Sequence, residues 1–167
     1  MNELTRSERE FYPQIRAVLG AESAPDAVLD TAVAYCQAAG LDVMRKPIAI
    51  ISYGGKHQIV FTIQAITTIA SRAGWAGSEP IEYSSTLISH AGQQVPEWGC
   101  QVVYKIIGGQ RCSFAGPKVY FKERAQGNSN WSKQPMAMFN KCILAAALRV
   151  AFPESLGHAQ EVDEINR

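Results

Sequence analysis

The chain has 167 residues, of which 47% are hydrophobic and 19% are charged, so it is long enough and apolar enough to bury a core. This composition excludes a disordered chain and a small disulfide-stapled fold, and no apolar run approaches the length of a membrane span. The formal net charge is only +1, which by itself indicates no polyanionic partner.

Helical spacing dominates the first 40 residues. A first helix is predicted around Pro13 and a second from about Pro25 to Ala39, ended by Gly40. Two short β-branched runs, 47–53 and 58–62, are separated by a glycine turn and predict a β-hairpin. Helical spacing returns over 64–73. The residues that define the first helix are Leu4, Phe11, Ile15, Val18 and Leu19.

The second half of the chain is predicted to contain three strands and a closing helix. The strands are Ile81–Ser89, Gly99–Ile107 and Arg111–Phe121, of which the last two are joined across Gly108 and Gly109. The polar segment 124–133 predicts a mobile loop, followed by a helix over 134–151 that ends before Pro153.

Strands and helices do not alternate regularly along the chain. The fold class is therefore α+β, with an antiparallel sheet, a hairpin plus a three-stranded meander, packed against helices. We expect one domain over 1–167, with N-terminal helices at 1–40, a core at 41–153 and an acidic tail at 154–167. The charged N-terminus and the absence of a membrane-length apolar run favour a cytoplasmic protein.

The charges are unevenly distributed. Between Gly99 and Val150, Glu123 is the only acidic residue, whereas the tail after Pro153 is acidic. This asymmetry is typical of a protein that presents one face to a polyanion. The basic residues of the segment are Lys105, Arg111, Lys118, Lys122, Arg124, Lys133, Lys141 and Arg149.

The closing helix is apolar around most of its circumference, except along one stripe. Lys141, Ala145 and Arg149 follow one another at spacings of four residues, so two cations flank a small side chain. A phosphate approaching the helix there would meet two donors. The alternative is that Lys141 and Arg149 pair with acids such as Glu154 or extend into water.

Aromatic residues interleave with these cations. In a strand, Lys118, Tyr120 and Lys122 share one face, and a base stacked on an aromatic ring contributes roughly 1–3 kcal/mol whatever its identity. The alternative is that the aromatic side chains belong to the core. The candidate nucleic-acid contacts are Lys105, Lys118, Tyr120, Lys122, Arg124, Trp131, Lys133, Lys141 and Arg149.

No motif for bond-making chemistry is present. The segment before Lys56 lacks the glycine spacing of a phosphate-binding loop, and the four cysteines have no metal-ligand spacing. We expect no catalytic residue, no metal and no cofactor, with Mg²⁺ at most modulating the activity. Two alternatives stay open: a non-catalytic interaction module, and a metal-dependent nuclease that would gather carboxylates from Asp42, Glu79, Glu82 and Glu97.

Two groups of residues resemble the RecT/Red-beta family of phage single-strand annealing proteins. The opening group is Ala34-Tyr35-Cys36-Gln37-Ala38-Ala39-Gly40-Leu41-Asp42, Arg45-Lys46-Pro47-Ile48 and Ala70-Ser71-Arg72-Ala73-Gly74-Trp75. The closing group is Trp131, Pro135, Met138, Lys141, Arg149 and Phe152-Pro153. The resemblance extends from about residue 30 to 165.

The resemblance implies ATP-independent binding and annealing of single-stranded DNA for homologous recombination. Protomers would assemble into rings or helical filaments that hold single-stranded DNA and the annealed duplex intermediate. Family DNA contacts carry over to Lys141 and Arg149, and further to Lys118, Lys122 and Lys133. A phage exonuclease and a host single-strand-binding protein are implied as partners, in the cytoplasm of a bacterial cell.

Overall fold

A computed structural model describes residues 10–53 and 56–156 of the chain. Three sequence predictions therefore lie outside the described residues: the start of the first helix at Leu4, the hairpin turn at Gly54 and Gly55, and most of the acidic tail. The helices are α1 (Tyr12–Leu19), α2 (Asp26–Ala38), a 3₁₀ turn (Val43–Arg45), α3 (Ile63–Arg72), α4 (Phe121–Arg124), α5 (Ser129–Lys133), α6 (Pro135–Ala151) and α7 (Pro153–Leu156).

The described strands form antiparallel pairs throughout. They are β1 (Ile48–Tyr53), β2 (Lys56–Phe61), β3 (Trp75–Ser78), β4 (Glu82–Tyr83), β5 (Leu87–His90), β6 (Gln93–Pro96), β7 (Trp98–Cys100), β8 (Val102–Ile107), β9 (Gln110–Ala115) and β10 (Val119–Tyr120). Helices and antiparallel sheets together confirm the predicted α+β class. None of the described helices is both long enough and apolar enough to cross a membrane.

The chain divides into two compact units between Ala65 and Ile66. The first unit contains α1, α2 and the β1–β2 hairpin, which confirm the predictions for this part of the chain. Its core includes Leu29, Ala32 and Ile48, none of which is exposed to solvent. Burial raises the pKa of the Cys36 thiol to about 11, with a smaller contribution from Asp42, so this cysteine stays protonated.

The second unit is built on a three-stranded arrangement. Its middle strand consists of two segments that follow one another along the chain, β7 and β8. β7 lies between β4 and β10, and β8 lies between β3 and β9. Val102 follows Gly99 by three positions on the middle strand, whereas Val119 follows Ala115 by four positions on the partner strand. The extra residue is a β-bulge, and the amide of Gly116 donates to the carbonyl of Gln101 across it at 2.9 Å.

All three predicted strands of this half have different boundaries in the structure, and Gly99–Ile107 is divided into β7 and β8. The segment 81–89 divides into β4 and β5, and β5 pairs with β6 in a separate hairpin. The segment 111–121 is interrupted by the bulge and ends in the short helix α4. The prediction of a hairpin across Gly108 and Gly109 is confirmed, since both residues have the positive φ of a two-residue hairpin turn.

The closing helix α6 packs against the three-stranded arrangement through glycine and alanine. A Cβ built on Gly99 would lie 2.5 Å from Ile143 Cδ1, and one on Gly116 would lie 2.6 Å from Ala147 Cβ. Helix and strands therefore approach each other more closely than larger side chains would allow. As predicted, α6 begins next to Gln134, ends at Ala151 and is buried along most of its length.

Candidate nucleic-acid interface

The strands of the second unit have one face against α6 and one face toward solvent. Gly99, Val103 and Val119 are buried on the α6 side. Alternate residues point the other way, and we call this second side the outer face. Its residues are Trp98, Cys100, Val102, Tyr104 and Ile106 on the middle strand, Glu82 on β4, and Arg111, Ser113, Ala115 and Tyr120 on β9 and β10; all are exposed or half-buried.

One end of the outer face combines aromatic rings with a cation. Trp98 and Tyr120 are directly opposite each other on β7 and β10. The Nζ atom of Lys118 lies 4.0 Å from the centroid of the Trp98 ring, so Lys118 reaches the outer face from the bulge. Tyr120 is 41% exposed. Trp98, Lys118 and Tyr120 therefore place two aromatic rings and a positive charge next to one another.

The charges of the outer face are separated between its two edges. Arg111 and Lys118 lie along the β9–β10 edge, whereas Glu82 belongs to β4 and Glu79 lies between β3 and β4. Glu82 accepts a contact from the Cys100 thiol, whose pKa is raised by burial and by this carboxylate. A polyanion is therefore attracted to the β9–β10 edge and repelled from the opposite one.

Helix α6 lies on the other side of the strands, which separates its cations from the outer face. Ile143 contacts the strand side of the helix at Gly99. Lys141 precedes Ile143 by two residues, about 200° around the helix axis, and therefore points away from the strands. Lys141 and Lys118 thus lie on opposite sides of the strands of the second unit.

The predicted stripe on α6 is not open along its length. Lys141 is exposed, but Ala145 is completely buried and Arg149 is half-buried. Arg149 and Arg124 both interact with other groups of the chain. The expectation that a phosphate sits over Ala145 between two cations is therefore wrong, because the space above Ala145 is filled.

Lys105 has a structural role that the sequence analysis did not predict. Its side chain is 15% exposed, pairs with the carboxylate of Glu154, and donates to the carbonyl of Ala151 at 3.1 Å. Its Nζ atom also lies 4.7 Å from the centroid of the Phe152 ring. Lys105 therefore binds the C-terminal end of α6. Because its ammonium group is occupied by these contacts, the structure does not support the predicted contact between Lys105 and DNA.

The Lys105–Glu154 pair predicts a component of acid sensitivity. The hydrogen bond from Lys105 lowers the pKa of the Glu154 carboxyl from its ordinary value. A depressed folded-state pKa stabilises the fold above the unfolded-state pKa, and this contribution is lost as the pH falls through the folded-state pKa. We expect the free energy of unfolding of Glu154→Gln to change less between neutral and acidic pH than that of the wild type. Urea unfolding at several pH values measures this difference. Equal pH dependence of the two proteins would contradict this assignment.

Trp131 is a core residue and not a platform for bases. It is completely buried, and its ring meets that of Phe121 edge to face, with centroids 5.5 Å apart. Phe121 makes similar contacts with Phe139 and His90. Trp131 belongs to α5, which is capped by the Asn128 side chain, so the second half of the predicted mobile loop is an ordered helix.

Three further candidates are available on the surface. Lys122, Lys133 and Lys141 are exposed, and none has a carboxylate within ion-pair distance among residues 10–53 and 56–156. Lys122 belongs to α4, which begins at Phe121, so it does not share a strand face with Lys118 and Tyr120 as predicted; Lys133 ends α5. Together with Lys118 and Tyr120, these residues keep their predicted role as candidate contacts.

The carboxylates of the nuclease alternative have separate interactions. Asp42 accepts from the amide of Met44, and Glu79 accepts from the hydroxyl of Tyr104. Within the described part of the chain, no three His, Cys, Asp or Glu side chains are grouped so that they could hold a metal ion. The nuclease alternative therefore gains no candidate metal site.

Sequence reasoning missed Trp98 as a candidate contact. Trp98 is two residues before Cys100 and six before Tyr104, so alternation places all three on one face. This signal was available in the sequence. The pairing of Trp98 with Tyr120 could not be predicted from the sequence, because the bulge between Ala115 and Val119 shifts the register by one residue.

A comparison with protein families identifies the family of the chain. The model of the RecT family matches residues 4–167, which is almost the whole chain. The chain belongs to the RecT family. RecT proteins are single-strand annealing proteins of recombination and are not known as catalysts. No match to the chain was found among curated proteins.

Proposed function

We propose that this RecT protein binds single-stranded DNA on the outer face and anneals complementary strands without ATP. The observation that carries the proposal is the position of Lys118 over Trp98, beside Tyr120, on a solvent-exposed face. Family membership supports the annealing activity. The exposed cations Lys122, Lys133 and Lys141 are proposed as additional phosphate contacts.

The chemistry of the outer face suits an annealing protein. Stacking on Trp98 and Tyr120 contacts the flat faces of bases and does not select a sequence. The hydrogen-bonding edges of the bases then stay available to a second strand. Phosphates would follow the β9–β10 edge, because Lys118 lies there and the acidic residues Glu79 and Glu82 lie toward the other edge.

We further propose that the protein acts as a ring or helical homo-oligomer in the bacterial cytoplasm. Each added protomer would bind the same strand at high effective concentration, so weak contacts would combine into stable binding. Family membership also motivates a phage exonuclease and a host single-strand-binding protein as partners. Size-exclusion chromatography and electron microscopy with long oligonucleotides test the oligomer, and a strictly monomeric protein on long strands would contradict it.

The annealing assay uses two complementary fluorescent oligonucleotides without nucleotide. We expect the protein to accelerate pairing, with strands of unchanged length, both with and without Mg²⁺. Affinity for single strands should fall with salt, by a log–log slope of roughly 0.7 for each phosphate contact. Absence of binding at low salt would contradict the proposal and favour a plain interaction module, whereas Mg²⁺-dependent shortening of the strands would favour a nuclease.

Lys141 tests whether α6 also contacts DNA. Because Lys141 is exposed and points away from the strands, Lys141→Ala should leave the melting temperature unchanged. We expect this variant to anneal more slowly, and its log–log salt slope should be smaller by about 0.7. Lys141→Arg keeps the charge and should have the annealing rate and the salt slope of the wild type. If Lys141→Ala has the wild-type slope, the outer face binds DNA without help from α6.

A further inference from the structure

A second cation–aromatic pair lies at the other end of the outer face. The guanidinium carbon of Arg111 is 3.6 Å from the centroid of the Tyr104 ring. Tyr104 lies opposite Ser113, and Arg111 lies opposite Ile106, so the pair is formed diagonally across β8 and β9. The hydroxyl of Tyr104 donates to Glu79, which holds the ring beneath the guanidinium.

The charge of Arg111 is not neutralised by a neighbouring acid. In the described ranges of the chain, no carboxylate lies within ion-pair distance of Arg111, and its side chain is exposed. Glu79 interacts with the Tyr104 hydroxyl instead. Arg111 is therefore fixed in position by a neutral ring while its positive charge remains available to a ligand.

We propose that Arg111, supported by Tyr104, is a second stacking platform that binds an unpaired nucleobase of single-stranded DNA. This inference rests on the proposed function of the outer face. Tyr104 follows Trp98 by six residues on the middle strand, which corresponds to roughly 20 Å. The two platforms hold separate bases of one extended strand, with the phosphates between them along the β9–β10 edge.

The chemistry of the pair favours a base over a phosphate as its main ligand. A guanidinium group is planar, weakly hydrated and able to stack, and here one of its faces is already directed at an aromatic ring. A base placed on the opposite face continues the stack as a third layer, in the manner of bases bound by arginine in other nucleic-acid sites. A phosphate would need only the charge, which a lysine supplies equally well.

The experiment compares wild type, Arg111→Ala and Arg111→Lys by fluorescence anisotropy on two probes of equal length, oligo(dT) and a fully abasic oligonucleotide. On oligo(dT) we expect Arg111→Ala to bind on the order of tenfold more weakly. Arg111→Lys should show most of this loss, because it keeps the charge and loses the plane. On the abasic probe Arg111→Lys should bind like the wild type, and Arg111→Ala should lose only the small contribution of one surface charge. Thermal unfolding of each variant confirms that the exposed substitution leaves the fold intact.

The alternative outcomes overturn the inference in different ways. If Arg111→Lys binds oligo(dT) like the wild type, Arg111 contacts only phosphate. If Arg111→Ala binds both probes like the wild type, Arg111 does not contact the strand, and the proposed function stands on Trp98 alone. If the wild type itself does not bind oligo(dT), both the proposed function and this inference are wrong.

Discussion

Replacing Trp98 with alanine is expected to lower the affinity for single-stranded DNA by roughly 5- to 150-fold. The substitution removes a ring on which a base stacks, a contact of roughly 1–3 kcal/mol, and also the ring that positions Lys118. Annealing should slow in parallel because it depends on the bound strand. Affinity is measured by anisotropy with oligo(dT), and annealing by the fluorescence of complementary oligonucleotides.

Two controls separate loss of stacking from loss of structure. Trp98→Phe keeps an aromatic ring and should retain much of the affinity. Tyr35 on α2 is 50% exposed but has no predicted contact with DNA, so Tyr35→Ala should bind like the wild type. Wild-type affinity of Trp98→Ala, with an unchanged melting temperature, would exclude Trp98 as a residue that stacks with bases.

Replacing Gly116 with alanine is expected to destabilise the protein by about 2–3 kcal/mol. The added Cβ would lie 2.7 Å from the carbonyl oxygen of Gln101 and 2.9 Å from Ala147 Cα. These are backbone atoms, so relief of the clash requires α6 or the bulge to move. For a chain of this length the melting temperature should fall by roughly 5–10 °C.

Gly127 provides the matched control for this substitution. A Cβ on Gly127 meets no atom within 4 Å, and its backbone conformation is open to other residues. Gly127→Ala should therefore be neutral or slightly stabilising. Equal melting temperatures for Gly116→Ala and Gly127→Ala would show that α6 and the bulge are not packed as closely as the structure indicates.

Much of the local structure could be predicted because its signals are contained in short segments. The apolar spacing that defines α2, α3 and α6 repeats within each helix, and paired glycines mark the β8–β9 turn. The candidate site could be predicted only in part. Lys118 and Tyr120 were identified because a strand alternates its faces, but the bulge after Ala115 changes which residue of β7 they meet.

By itself, the sequence determined the α+β class, the positions of most helices, the concentration of cations after Gly99 and the membership of the RecT family. Only the tertiary structure decided the use of each cation and aromatic ring. Lys105 binds the end of α6, Trp131 is in the core, and Lys141 lies on the side of the strands opposite Lys118. The reason is that charge and periodicity are local properties, whereas burial and pairing depend on segments that are far apart in the chain.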